Sequence, residues 1–231
     1  MKPLIVANWK CNPTNLKEAK LLFDSVKKRV KSIRNVEVVI CPPFVYLSVL
    51  ISQNLSSAIS FGGQSCFWEE KGAFTGEVSP LMLKNLGVQY VIIGHSERRK
   101  YQRETDEMIN KKIKAAITER LKPILCIDKL SQIEKDLKGV PLKEFKNLFI
   151  AYEPLFAVGS GRPCPQEKAE RMRILIQKKL KRRVKIIYGG SVNSQNAQIY
   201  IEKAGFQGLL PGGASLKVKE FIKIIRSVSQ S

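Results

Sequence analysis

The sequence predicts a single α/β domain over residues 1–231, folded as a (β/α)8 barrel. Three observations predict it. Eight short apolar runs of strand length alternate with segments of helical period. No linker, low-complexity tract or repeat of roughly 20–50 residues interrupts the alternation. The polar and glycine-rich residues that break the pattern fall at the ends of the apolar runs, where such barrels carry their chemistry.

The strand candidates are Leu4–Ala7, Val36–Ile40, Ala58–Phe61, Tyr90–Ile93, Ile124–Ile127, Leu148–Ala151, Val184–Ile187 and Gly208–Leu210. Several are unbroken apolar runs, as expected of parallel strands covered on both faces. The first helical segment carries its apolar stripe on Ala19, Leu22, Val26 and Val30, with Thr14 or Asn15 placed to cap its start. The last uses Val218, Ile222, Ile225 and Val228 in the same way. A doubly wound open sheet shares this alternation, which does not decide closure.

Bulk composition narrows the function classes. A chain of 231 residues, 44% hydrophobic and 26% charged, reads as an ordinary globular domain with a sizeable core. No apolar run approaches the ~18 residues of a membrane helix, and Leu4–Ala7 is too short for the core of a secretion signal. The five cysteines, Cys11, Cys41, Cys66, Cys126 and Cys164, are odd in number and form no CxxC pair. With one histidine in the chain, no structural zinc site is expected, and the cysteines point to reduced thiols in the cytoplasm. The net charge of +20 raises the question of a polyanionic partner. The cations lie between apolar positions on helical segments, as in Lys27-Lys28-Arg29 and Lys178-Lys179-Leu180-Lys181-Arg182-Arg183. That is the pattern of solvated helix faces, and no aromatic residues interleave with it, so no nucleic-acid partner is expected.

The candidate site lies on the rim made by the strand ends. The first strand ends in Asn8-Trp9-Lys10 and the fourth in Gly94-His95-Ser96-Glu97. The sixth ends in Tyr152-Glu153-Pro154, followed by Ala157-Val158-Gly159-Ser160-Gly161. Gly189-Gly190-Ser191 and Gly212-Gly213 follow the seventh and eighth strands and precede helical segments. Glycine pairs there let backbone N–H groups reach a phosphate. His95 stands just before a helical start, which disfavours the imidazolium and leaves a neutral ring able to exchange protons with a substrate oxygen. Glu153 closes an apolar run and fits a desolvated general base. Lys10 supplies charge for a dianion and an enolate-like oxygen, with Asn8 hydrogen-bonding beside it. The segment after Glu153 reads as a lid, with Ala157-Val158 as its apolar tip and Gly159 and Gly161 giving it freedom.

These motifs together resemble the triosephosphate isomerase family across nearly the whole chain. The resemblance rests on Ala7-Asn8-Trp9-Lys10, Cys41-Pro42-Pro43, Gly72-Ala73-Phe74-Thr75-Gly76-Glu77, Ile93-Gly94-His95-Ser96-Glu97-Arg98-Arg99, Ile124-Leu125-Cys126-Ile127, Ala151-Tyr152-Glu153-Pro154, Tyr188-Gly189-Gly190-Ser191-Val192 and Gly212-Gly213-Ala214-Ser215-Leu216. It implies dihydroxyacetone phosphate and glyceraldehyde 3-phosphate as substrates, interconverted through an enediolate in glycolysis and gluconeogenesis. It implies Glu153 as base, His95 as the proton mover between oxygens, Lys10 as the stabilising cation, Asn8 orienting His95 and substrate, and Glu97 supporting Lys10. It implies phosphate contacts from the N–H groups of Gly159, Ser191, Gly212 and Gly213. It also implies a homodimer in which the loop carrying Thr75 enters the partner near Cys11. Glutamate base, neutral histidine and closing loop are a general illustration of tuned acid–base chemistry in this family.

Several positions depart from the family pattern. Phe156 stands for the usual lid tryptophan, Leu155 for a valine, and Pro163 lies at the second lid hinge. Asp128-Lys129 replaces Gly-Glu, Pro211 replaces an apolar residue, and the stretch from Cys126 to Tyr152 is short, which predicts a trimmed helix there. Another phosphate-binding isomerase or epimerase would share the glycine pairs but not Gly-His-Ser-Glu-Arg-Arg with Glu-Pro. A basic binding protein on an inactive barrel would account for the charge alone.

Overall fold

The computed structural model describes residues 2–54, 59–182 and 184–229. Eight parallel strands close into a barrel in sequence order: β1 (Leu4–Asn8), β2 (Glu37–Cys41), β3 (Ser60–Gly63), β4 (Tyr90–Ile93), β5 (Lys122–Ile127), β6 (Phe149–Tyr152), β7 (Lys185–Tyr188) and β8 (Gly208–Leu209). Closure is made where Leu4 pairs with Gly208 and Ile5 with Leu209. That pairing decides between barrel and open sheet. Ala58 of the third strand candidate and Arg183 of the second basic run lie outside the described residues.

The helices are α1 (Leu16–Val30), α2 (Phe44–Ser52), α3 (Pro80–Asn85), α4 (Ser96–Tyr101), α5 (Asp106–Thr118), α6 (Leu130–Asp136), α7 (Gln166–Leu180), α8 (Ala197–Glu202) and α9 (Val218–Ser229). Local chemistry sets several starts. Asn15 accepts the Glu18 N–H at 2.9 Å and donates to its carboxylate at 2.8 Å, so Asn15 rather than Thr14 caps α1. Ser79 and Thr105 cap α3 and α5 through the Met82 and Met108 N–H groups. Each such cap contributes about 1 kcal/mol. The α1 stripe runs through Ala19, Phe23, Val26 and Val30; Leu22 is only half-buried, because the barrel takes the bulkier Phe23. In α9 the buried face is Phe221, Ile222, Ile224, Ile225 and Val228, and Val218 lies at its edge. The helix after β5 has only seven residues, as the short stretch predicts.

Strand alternation separates two cores. Ile5, Ala7, Val38, Ile40, Val91, Ile93 and Ile150 face the helices. Leu4, Val6, Val39, Cys41, Tyr90, Ile92, Ile124, Cys126, Phe149, Ala151 and Ile187 fill the barrel interior. Successive side chains point to opposite faces. Continuing the inward series past the apolar layers therefore places Asn8 above Val6, and Glu153 above Ala151. The site is the top layer of the interior.

Candidate active site

Glu153 is 1% exposed. Its N–H bonds to the Ile127 carbonyl at 2.8 Å, which extends the β5–β6 register by one residue and fixes where its side chain enters. One carboxylate oxygen accepts the Ser96 N–H at 3.3 Å, and the other lies 3.3 Å from His95 Nε2. Beneath it is Cys126. Burial first, and then the charge of Glu153, push this thiol well above its usual range, so it stays protonated. The electrostatic coupling of this thiol to Glu153 is not visible from cysteine spacing.

His95 departs from the strand parity because Gly94 turns the chain with φ of +73°. A side chain at Gly94 would be strained there. The imidazole is nearly buried and caps α4, its Nδ1 accepting the Glu97 N–H at 3.2 Å. A backbone N–H can only donate, so Nδ1 is the acceptor. The proton of the neutral ring then sits on Nε2, facing Glu153 and the cavity.

Lys10 adopts φ of +54°, in the left-handed region that L-residues seldom hold, as Asn35, Arg103, Arg120 and Lys181 do away from the site. Its N–H bonds to Asn8 Oδ1 at 3.1 Å, and the Gln64 amide grips both the Lys10 and Cys41 carbonyls at 2.9 Å. The ammonium reaches Glu97 at 2.5 Å, after its stem passes 3.2 Å from the position a Gly212 Cβ would take. Gln64 was missed in the sequence because its partners lie 23 and 54 residues away.

Asn8, Lys10, His95 and Glu153 line one cavity of about 250 Å³. Gly159, Ser191, Gly212 and Gly213 line its other side. Among the described residues, the N–H groups of these four donate to no backbone carbonyl. Glu97 stands behind Lys10, outside this lining. Thr75 and Cys11 are exposed and lie outside it too.

The segment after Glu153 covers part of its expected apolar tip. Ala157 is fully buried, with its N–H on the Pro154 carbonyl at 2.8 Å and its own carbonyl bonded by Ser191 Oγ at 2.6 Å. The exposed apolar residues are Leu155 and Phe156, with the Lys168 ammonium 4.7 Å from the Phe156 ring centre. The turn after Pro154 tucks in the small residue and leaves the large ones outside. Tyr188 Oη accepts the Cys164 N–H at 2.9 Å, and Tyr200 donates to the Cys164 carbonyl, anchoring the chain just past Pro163.

A closed barrel whose cavity gathers a buried carboxylate, a histidine and a cation beside backbone N–H groups is that of an enzyme for a small anionic substrate. The sequence model of triosephosphate isomerase matches residues 3–228. The triosephosphate isomerase of Alkaliphilus oremlandii (strain OhILAs) is 43% identical over 246 aligned positions, covering 97% of this chain and 98% of its own. Those of Dictyoglomus turgidum and Thermoanaerobacter sp. (strain X514) are 39% and 41% identical, covering 98% and 97% of this chain and 99% and 98% of theirs. The chain belongs to the triosephosphate isomerase family, a TIM-barrel family whose glycolytic reaction interconverts dihydroxyacetone phosphate and glyceraldehyde 3-phosphate.

Proposed function

We propose that this barrel performs that interconversion with Glu153 as its single base and His95 as its proton mover. The observation that carries the reading is the pair of groups 3.3 Å apart, Glu153 carboxylate and His95 Nε2, over one cavity shared with Lys10. Glu153 takes the proton from the carbon beside the carbonyl. The carbonyl oxygen gains negative charge as the enediolate forms. His95 Nε2–H donates to that oxygen, then recovers a proton from the neighbouring hydroxyl. Glu153 returns its proton to the adjacent carbon. Lys10 stabilises the developing charge in a site shielded from water, where such stabilisation is strongest. Asn8 orients substrate and His95, and Glu97 holds Lys10. The N–H groups of Gly159, Ser191, Gly212 and Gly213 take the phosphate, and the lid excludes water that would promote phosphate loss. No metal or cofactor is needed, since the carbonyl already acidifies the C–H bond. Turnover in D2O tests the reading. Deuterium should enter the product at the carbon that receives the proton, and Glu153→Gln should abolish it. A folded wild type without turnover, or Glu153→Gln exchanging at the wild-type rate, sinks it.

The same reading places the enzyme in the cytoplasm, serving glycolysis and gluconeogenesis, as a homodimer. Nine consecutive exposed residues, 69–77, project from the barrel and include Phe74, 44% exposed. We assign this loop, through Thr75, to the partner's Asn8–Lys10 region near Cys11. Thr75→Arg should then halve the mass in light scattering to the 26.1 kDa of one chain. An undivided dimer would remove the assignment.

A further inference from the structure

His95 is braced from behind by a guanidinium that no part of the proposed reaction uses. Arg99 of α4 donates from Nε to the Gly94 carbonyl at 2.9 Å. It donates from Nη1 to Asp106 of α5 and from Nη2 to Asp136 of α6, each at 2.6 Å. One side chain thus ties two helices to the peptide joining Gly94 to His95. The fit is close: a Cβ on Gly94 would lie 3.1 Å from Arg99 Nη2 and 3.4 Å from the Cys126 carbonyl.

Asp136 is the unusual member. It ends α6, is fully buried, and its Oδ1 has no hydrogen-bond partner among the described residues. Asn110 of α5 secures the chain there, donating to the Asp136 and Lys138 carbonyls at 2.8 and 2.9 Å. A buried, half-satisfied carboxylate is costly to stability and is not what packing alone selects. Its one bond is to the guanidinium that holds the peptide of the sole histidine.

We propose that Asp136 and Arg99 are positioning residues: through the Gly94 carbonyl they fix the His95 peptide, and so keep Nε2 on the path of the transferred proton. The inference rests on the reading of His95 as proton mover. It carries a pH dependence. Burial pushes the Asp136 carboxyl up to about 7, against the lowering effect of Arg99. The charged groups around it are Arg99, Asp106 and, through Asp106, Lys135 at 3.4 Å. Above that pH Asp136 is ionised and the clamp is charge-assisted on both sides. Below it Asp136 takes up a proton, Arg99 keeps only Asp106 as an anionic partner, and the grip on Gly94 loosens.

His95 is the only histidine, so labelling with 15N-histidine gives one imidazole to follow by NMR. In wild type, the ring shifts and kcat should share an inflection near pH 7. Asp136→Asn keeps the shape but cannot ionise. It should hold kcat near the wild type's low-pH value at every pH, with KM within about twofold, and remove that inflection from the ring shifts. An unchanged inflection and kcat in Asp136→Asn overturns the proposal. Arg99→Lys keeps the charge but cannot span three acceptors. It should lower kcat about tenfold at similar KM, with displaced ring shifts, because small misplacements of a reacting group are costly. Wild-type kcat and ring shifts in a folded Arg99→Lys also overturn it. Failure of the catalytic reading is separable: it shows as a His95→Asn enzyme with undiminished kcat, and leaves the ring shifts of Asp136→Asn as found.

Discussion

Gly189→Ala probes the placement of Glu153 without touching it. Gly189 follows β7 beside the carboxylate side chain. A β-carbon there would lie 2.8 Å from Glu153 Cγ, 3.3 Å from Oε1 and 3.5 Å from Cδ. Carbon atoms rest at about 3.5–4.0 Å, so Cγ must retreat by about 1 Å. Gly189 has no left-handed φ, so alanine adds volume without backbone strain. Glu153 has little room to give way, being 1% exposed, held by the Ser96 N–H and flanked by His95 Nε2 at 3.3 Å. A misplacement of about 1 Å in a reacting group costs about 100-fold in rate. That corresponds to about 2.7 kcal/mol on the barrier. Steady-state assays in both directions should show kcat down about 100-fold. KM should change little, because the donors around the phosphate are untouched. A folded Gly189→Ala with kcat within about threefold of wild type would refute the claim that carboxylate position limits the rate.

Other consequences concern stability and encounter. Lys112 is buried against Glu104 at 2.6 Å, and Arg98 approaches the same oxygen at 2.6 Å. Glu104→Gln should cost about 3–5 kcal/mol by leaving Lys112 uncompensated, lowering Tm by roughly 10 °C in a thermal melt. Burial opposes the Glu104 charge, but Lys112 and Arg98 outweigh it and hold the carboxyl below its usual 4.5. Its stabilisation is therefore present above pH 4.5 and lost as pH falls through the lowered value, so the gap to Glu104→Gln should narrow in acid. The +20 charge should speed capture of an anionic substrate, so kcat/KM should fall as salt rises from ~0.02 to ~0.2 M. A flat salt profile would remove steering from the account.

The strands were legible because parallel strands need unbroken apolar runs. Their ends were less so. Asn8 pairs with Cys41, and Tyr152 with Tyr188, although each lies beyond its apolar candidate run. The ladder depends on backbone bonds, while polarity reports only which side chains are covered. Closure was not legible, since alternation is the same in open and closed sheets. The rim residues could be read because each interrupts a pattern at the same place in a β–α repeat. Gln64, Cys126, Arg99 and Asp136 could not. Gln64 reaches Lys10 and Asp136 reaches Arg99 across long sequence separations, and the short reach of Arg99 back to Gly94 carries no periodic signal. Which apolar residues after Glu153 are covered was not legible either, since the turn after Pro154 buries Ala157 and leaves Leu155 and Phe156 outside.

The most direct test of the central claim is kcat for Glu153→Asp beside wild type, with triose phosphates as substrate. Aspartate keeps the charge and the burial but withdraws the carboxylate by one methylene, roughly 1 Å or more of reach. The account predicts active wild type and a folded Glu153→Asp slowed about 100-fold or more at similar KM. Equal kcat for the two proteins would contradict it, because a base whose reach does not matter is not the group that moves the proton.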